Sequence, residues 1–229
     1  MREGEDVPSL TVENYVKSIA LIAARDPSGE AVATGVLAQA LGVSPGTVTG
    51  MLKSLSEAEL ASYTPYEGAR LTATGQALAM KVIRRHRLRE LFLVKTLQMP
   101  WDEVHEEAET MEHAVSERLV DRIDAFLGHP VVDPHGDPIP RADGSLPAAE
   151  GVPLAQLPRG QRFRVVRVVD QDPAFLRYLS ECGLSLEATG ELAENRPEAG
   201  ALVIRLHDRS IALGLDAAGK VLVTSPSGQ

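Results

Sequence analysis

The 229-residue chain predicts a mainly α protein with small β parts: an N-terminal winged helix-turn-helix, a pair of long helices, and a C-terminal SH3-like small β-barrel. Three observations carry that prediction. A short helical run, a glycine turn and a longer helical run follow one another over residues 34–60, with a hairpin pattern behind them. Two further stretches, 75–97 and 101–127, keep apolar residues at helical spacing. Beyond a Pro- and Gly-rich segment, short strand-like runs separated by turns continue to the end.

Residues 1–8 read as a loose tail. In TVENYVKSIALIAAR, Val12, Tyr15, Val16, Ile19, Ile22 and Ala23 recur at helical spacing, with Ser9 or Thr11 available as N-cap. DPSGE (26–30) ends that helix. TGVLAQAL (34–41) is a short helix expected to be capped by Thr34. LGVS (41–44) is a tight glycine turn, and SPGTVTGMLKSLSEAEL (44–60) is a helix with Ser44 as N-cap and Pro45 at its first position. ASYTPYEGARLTAT places two short strands around PYEGA, which suits a wing. Thr74 is the expected cap of the helix 75–97, and 101–127 is expected to run as one helix to Gly128. Residues 128–150 form a linker or an ordered extended segment. The strand GQRFRVVRVVD (160–170), the helix PAFLRYLSECGL (173–184) and strands in EATGELAENR, ALVIRLHDRSIAL and GKVLVTS complete a small barrel. The expected domains are therefore 1–74, 75–128, a linker 129–150, and 151–229.

Composition bounds the function. A 44% hydrophobic and 24% charged content is ordinary for a globular protein. One cysteine, Cys182, excludes an intrachain disulfide. No apolar run approaches the roughly 18–20 residues of a membrane span, and the acidic start MREGEDVPSL lacks a signal-peptide layout. A cytoplasmic location is expected. The net charge of −9 does not point to nucleic acid, but its distribution is uneven. Residues 81–95 carry six Lys/Arg against one Glu, while 101–124 carry nine Asp/Glu against two Arg.

The chemistry concentrates in HEEAETMEHAV (105–115). At about 100° per residue, His105, Glu109, Glu112 and His113 share one helical face, beside an apolar stripe of Val104, Ala108, Met111, Val115 and Leu119. A solvated acidic face is one reading. Histidines at chelating spacing, and His86 and Glu90 at i, i+4 on the preceding helix, favour a metal site. HEEAE lacks the second histidine of a zinc-protease motif, since position 109 is Glu, and Glu109 and His113 are too far apart for a di-iron Glu-x-x-His pair. No enzyme signature stands out. Carboxylates and imidazoles without sulfur suit Mn(II) or Fe(II) better than Zn(II) or Cu(I).

The helix-turn-helix and wing, HRLRE (86–90), the H-x3-E-x2-E-H pattern (105–113), the Pro-rich link and the barrel together resemble the diphtheria toxin repressor family. The resemblance implies a dimeric, Mn(II)- or Fe(II)-dependent repressor of metal-uptake genes with two metal sites per subunit. It implies a primary site of Asn14, Glu109, Glu112 and His113 and an ancillary site of His86, Glu90 and His105. Asp172, in DQDPAF, is a further ancillary candidate. Glu109 stands where iron-sensing members carry Cys, as in manganese-sensing members. Asn14 departs from the family's Met or Asp, and Lys17 from the second carboxylate of the manganese type. On the same resemblance, Ser44, Thr47 and Thr49 meet operator DNA. Gly46 and Gly50 replace a Pro and a Gln of the recognition helix, and Lys53 and Arg70 face phosphates. The alternative is a metal-buffering or transport-accessory protein that uses its SH3-like module.

Overall fold

A computed structural model describes residues 10–26, 28–111 and 115–225. The chain divides into two compact units, Met1–Arg85 with Pro140–Leu146, and His86–Ile139 with Pro147–Gln229.

The first unit opens with helices α1 (Leu10–Arg25), α2 (Thr34–Leu41) and α3 (Pro45–Glu57). Gly42 closes α2 in the left-handed region, and the chain turns directly into Ser44, whose Oγ accepts from the Thr47 N–H at the start of α3. Strands β1 (Ala61–Thr64) and β2 (Gly68–Leu71) pair antiparallel as the wing. Val32 exchanges backbone hydrogen bonds with Ala69 at 2.8 and 2.9 Å, so the loop before α2 lies along the hairpin. Val16, Ile19, Leu37, Val48, Leu52, Leu55, Ala69 and Ile83 bury the apolar faces of these elements in one core. Helix α4 (Ala73–Leu97) starts beneath the wing, and the boundary between the units falls within it.

Two cap expectations are corrected, and of a third only the Thr11 alternative is set aside. Thr11 lies inside α1, which begins at Leu10, and Ser9 falls outside the described residues. Thr34 is the first residue of α2; extended Ala33 holds the cap position, with no side-chain hydrogen bond. Thr72, not Thr74, caps α4: its Oγ1 accepts from the Gly75 N–H and its hydroxyl donates to the Glu59 carbonyl. Gly75 is required there, because a Cβ would stand 1.8 Å from the Leu60 carbonyl oxygen.

In the second unit the expected single helix 101–127 is two: α5 (Val104–Met111) and α6 (Glu117–Phe126). Extended Ser116 interrupts them and caps α6, its Oγ accepting from the Leu119 N–H. A serine cap competes with helix continuation because it offers the backbone a different partner. The interruption explains why Val104 and Ala108 are buried while Leu119, expected on the same stripe, is 47% exposed. Arg89, almost fully buried, donates to the Ala108 carbonyl and joins α4 to α5. Leu88 and Leu91 of α4 pack with Val120 and Ile123 of α6 and with Ile139.

The segment after α6 is ordered rather than a free linker. Asp133 to Ile139 are all buried. Asp133 Oδ1 accepts from the His135 and Asp137 N–H groups at 2.8 and 2.9 Å, shaping a tight turn. Gly136, at φ +86°, lies so close to the following barrel strand that a Cβ would come within 2.1 Å of the Val166 oxygen. Asp137 ion-pairs with Arg167 of the barrel and Arg87 of α4, and accepts from the Gln171 amide.

The barrel is SH3-like. Its antiparallel sheet comprises β3 (Val152–Pro153), β4 (Arg162–Val168), β5 (Thr189–Arg196), β6 (Ala201–Leu206), β7 (Arg209–Gly214) and β8 (Val221–Thr224), in the order β3-β8-β4-β5-β6-β7. Helix α7 (Pro173–Glu181) precedes β5, and the short α8 (Leu215–Gly219) precedes β8. Phe163, Val165, Leu176, Leu192, Ile204 and Val223 fill the core, and Cys182 packs against it. Among the described residues no helix is long and apolar enough to cross a membrane.

Candidate metal centre

Helix α4 presents His86 and Glu90 one turn apart, both buried, and α5 presents His105 and Glu109 toward them. The His86 Nε2 lies 2.9 Å from Glu90 Oε1 and 3.1 Å from His105 Nδ1, and His105 Nδ1 lies 3.1 Å from the same Glu90 oxygen. The two imidazoles meet edge to face with centroids 4.9 Å apart. On the other side of the His86 ring, Nδ1 is 3.4 Å from Glu109 Oε1 and makes no hydrogen bond. Three donor atoms about 3 Å apart match the edge of an octahedron around a small divalent cation, whose bonds are about 2.1 Å.

Electrostatics favour a cation here. Burial opposes ionisation of Glu90, but the charge of His86 and hydrogen bonds from His105 and His86 outweigh it. The carboxyl is held well below the usual carboxylate range, so this buried group is ionised.

A second group adjoins the first. Glu90, Asp133 and His135 are all buried, with donor atoms within 4.8 Å of one another, as are those of His86, Glu90 and His105. Burial, and then the charges of Asp137 and Glu90, push the Asp133 carboxyl well above its ordinary range, while Arg87 and the Asp137 N–H pull the other way. The sequence assigned His135 and Asp133 no role. The signal was the DPHGDP stretch, two acids and a histidine within a Pro/Gly-rich segment, which reads equally well as a turn.

The remaining expected residues fall as follows. Glu112 and His113 lie outside the described residues. Asn14 is half-buried on α1, in the first unit, where neighbouring Glu13 ion-pairs with Arg85 at 2.6 Å. Asp172 caps α7, its Oδ1 accepting from the Ala174 and Phe175 N–H groups, and it joins neither donor group. On α3, Ser44, Gly46, Thr47, Gly50 and Lys53 are exposed and Thr49 is half-buried. The Ser44 and Thr47 hydroxyls are 2.8 Å apart, and Thr49 Oγ1 donates to the Pro45 carbonyl. Arg70 turns back to donate to the Gly29 carbonyl.

A winged helix-turn-helix, a buried His/carboxylate cluster on paired helices and an SH3-like barrel define a metal-responsive winged-helix class. Comparison with known proteins narrows it. Residues 9–69 match the family described as iron dependent repressor, N-terminal DNA binding domain; residues 72–141 match its metal binding and dimerisation domain; residues 152–225 match the FeoA domain. A solved "Manganese-dependent transcriptional repressor complex with manganese" aligns with TM-score 0.83 at 39% identity, covering 94% of this chain and 100% of that one. The iron-dependent repressor IdeR of Mycobacterium leprae is 41% identical over 103 residues, 42% of this chain and 45% of that protein. The diphtheria toxin repressor of Corynebacterium efficiens is 26% identical over 228 residues, 95% of this chain and 96% of that protein. The chain belongs to the diphtheria toxin repressor family; its match to the mycobacterial relative spans about half of that protein's length.

Proposed function

We propose that this chain is a Mn(II)- or Fe(II)-dependent transcriptional repressor that binds operator double-stranded DNA as a cytoplasmic homodimer and controls metal-uptake genes. The observation that carries the reading is the convergence of His86, Glu90 and His105 in a chain that also holds a Ser44-capped recognition helix. The donor set fits a hard divalent cation: imidazole nitrogens and carboxylate oxygens, with Cys182 engaged in the barrel core instead. When bound, the metal supplies positive charge that offsets the clustered carboxylates.

The functional partition follows the expected domains: 1–74 reads DNA, 75–128 binds metal and dimerises, 129–150 connects, and 151–229 is the barrel. His86, Glu90 and His105 hold the ancillary ion; Asn14, Glu109, Glu112 and His113 hold the primary one; Asp172 serves as a cap. The hydroxyls of Ser44, Thr47 and Thr49 line the α3 surface offered to the major groove, with Gly46 and Gly50 leaving room for close approach. Lys53 is free to meet a phosphate, whereas Arg70 must first release Gly29. The dimer surface is α6, where Leu119 and Phe126, seven residues apart on one face, are 47% and 70% exposed.

A complete switch between DNA-incompetent and DNA-competent populations requires about 5.5 kcal/mol of differential metal binding. In a gel shift on genomic fragments, specific binding should appear with Mn(II) and vanish with chelator. Equal binding in both conditions overturns the proposal. Metal binding without any DNA shift would support the second reading, a metal-buffering or transport-accessory protein, which the FeoA match favours.

A further inference from the structure

Two of the three donors in the first group, His86 and Glu90, sit one turn apart on α4, and both are buried. The third, His105, differs: it is the second residue of α5, and its side chain is half exposed. An eight-residue helix is marginal alone, so the place of His105 depends on what holds α5. Arg89 grips its middle through the Ala108 carbonyl, and Val104 and Ala108 pack against Leu93. Its entry is held by the barrel. The Trp101 Nε1–H donates to Ser180 Oγ of α7 at 2.8 Å, and Arg177 of the same helix reaches Asp102 at 3.2 Å. Ser180 is set for this bond: its own hydroxyl donates to the Leu176 carbonyl, which leaves a lone pair for the indole. The Trp101 ring packs against the barrel core, and the Asp102 side chain is only 10% exposed. Beside them opens a cleft lined by Met99, Glu103, Pro173 and Arg177, so α7 meets the entry of α5 at points rather than along a packed wall.

We propose that Trp101 is a positioning residue through which the barrel sets metal affinity without donating a ligand. The Trp101–Ser180 bond, with Asp102–Arg177 beside it, fixes the start of α5 and so the approach of His105 to His86 and Glu90. Among the described residues neither donor group contains a barrel side chain, so the barrel acts by position. Such coupling is reciprocal: the factor by which docking strengthens metal binding is the factor by which bound metal strengthens docking. Cutting the Trp101 link leaves the barrel in place, because Asp137–Arg167 and the Val168 N–H to His135 carbonyl bond hold it independently. The inference rests on the metal-dependent reading above.

The test measures Mn(II) affinity of the full chain by equilibrium dialysis. Trp101→Phe keeps an aromatic ring and removes the N–H donor; Ser180→Ala removes its acceptor. Each should weaken Mn(II) binding about three- to tenfold, the worth of one hydrogen bond. The double variant should bind no more weakly than either single one, because both changes delete the same bond. Arg177→Gln, on an exposed side chain, should weaken binding separately. Hydrogen exchange supplies the readout that a merely structural role would not move. In wild type, Mn(II) should slow amide exchange in α7; in Trp101→Phe saturated with Mn(II), that slowing should be lost. Unchanged Mn(II) affinity in both single variants would overturn the proposal, as would additive losses in the double variant or α7 exchange indifferent to Mn(II) in wild type. If Mn(II) still drives operator binding in those cases, the repressor reading stands and only the positioning role fails. A wild type that binds no Mn(II) removes both.

Discussion

Glu90 shows how much one residue can carry. The sequence presents it as half of an i, i+4 pair with His86, a common helix-surface motif. Its burial, and the opposing histidines that keep it ionised, make it the anionic centre of both donor groups. Gly136 is the counterpart on the backbone side. Its φ of +86° and its approach to Val166 allow the 133–137 turn to lie against β4. A left-handed non-glycine residue costs on the order of 1–3 kcal/mol, and the 2.1 Å encounter adds to that. Gly136→Ala should therefore lower the urea midpoint of the second unit and reduce Mn(II) affinity. An unchanged midpoint would show that the turn relaxes without cost.

At the scale of elements, caps decide more than periodicity does. Helical spacing runs without a break through 101–127, yet Ser116 divides it, turning one expected acidic face into two helices with different neighbours. Helix α3 illustrates the converse. Its two glycines should weaken it, and the structure offers no packing reason for Gly50: a Cβ there meets nothing within 4 Å. Gly50→Ala should stabilise the first unit by roughly 0.5–1 kcal/mol, read as a raised thermal midpoint. The same variant should bind operator more weakly if close backbone approach is what the glycine provides. Stabilisation with unaltered DNA affinity would assign the position no role in recognition.

For the whole molecule, the exposed apolar face of α6 bears on assembly. Phe126 touches Phe92 edge to face at 6.2 Å and otherwise faces outward. An aspartate at that position should cost the proposed dimer its apolar anchor while leaving each chain folded. Sedimentation of Phe126→Asp should thus give a monomer where wild type gives a dimer, and operator affinity should fall with it. A dimeric Phe126→Asp would move the interface to another face.

The winged helix-turn-helix, the SH3-like barrel and the i, i+4 pairs His86/Glu90 and His105/Glu109 are legible in the sequence, because each depends on local spacing along one helix or one turn, whereas the break of 101–127 into two helices at Ser116 is not. Ser44 was legible as a cap for the same reason. Tertiary structure alone decided that Asp133 and His135 join Glu90, because nothing in a Pro- and Gly-rich stretch reveals which side chains face inward until the segment is laid between α4 and β4. It also decided that Asp172 and Arg70 are engaged elsewhere, in a cap and on the Gly29 carbonyl. Hydrogen-bond geometry over a few residues can be read from a string; the burial that strips a histidine or a carboxylate of its water cannot.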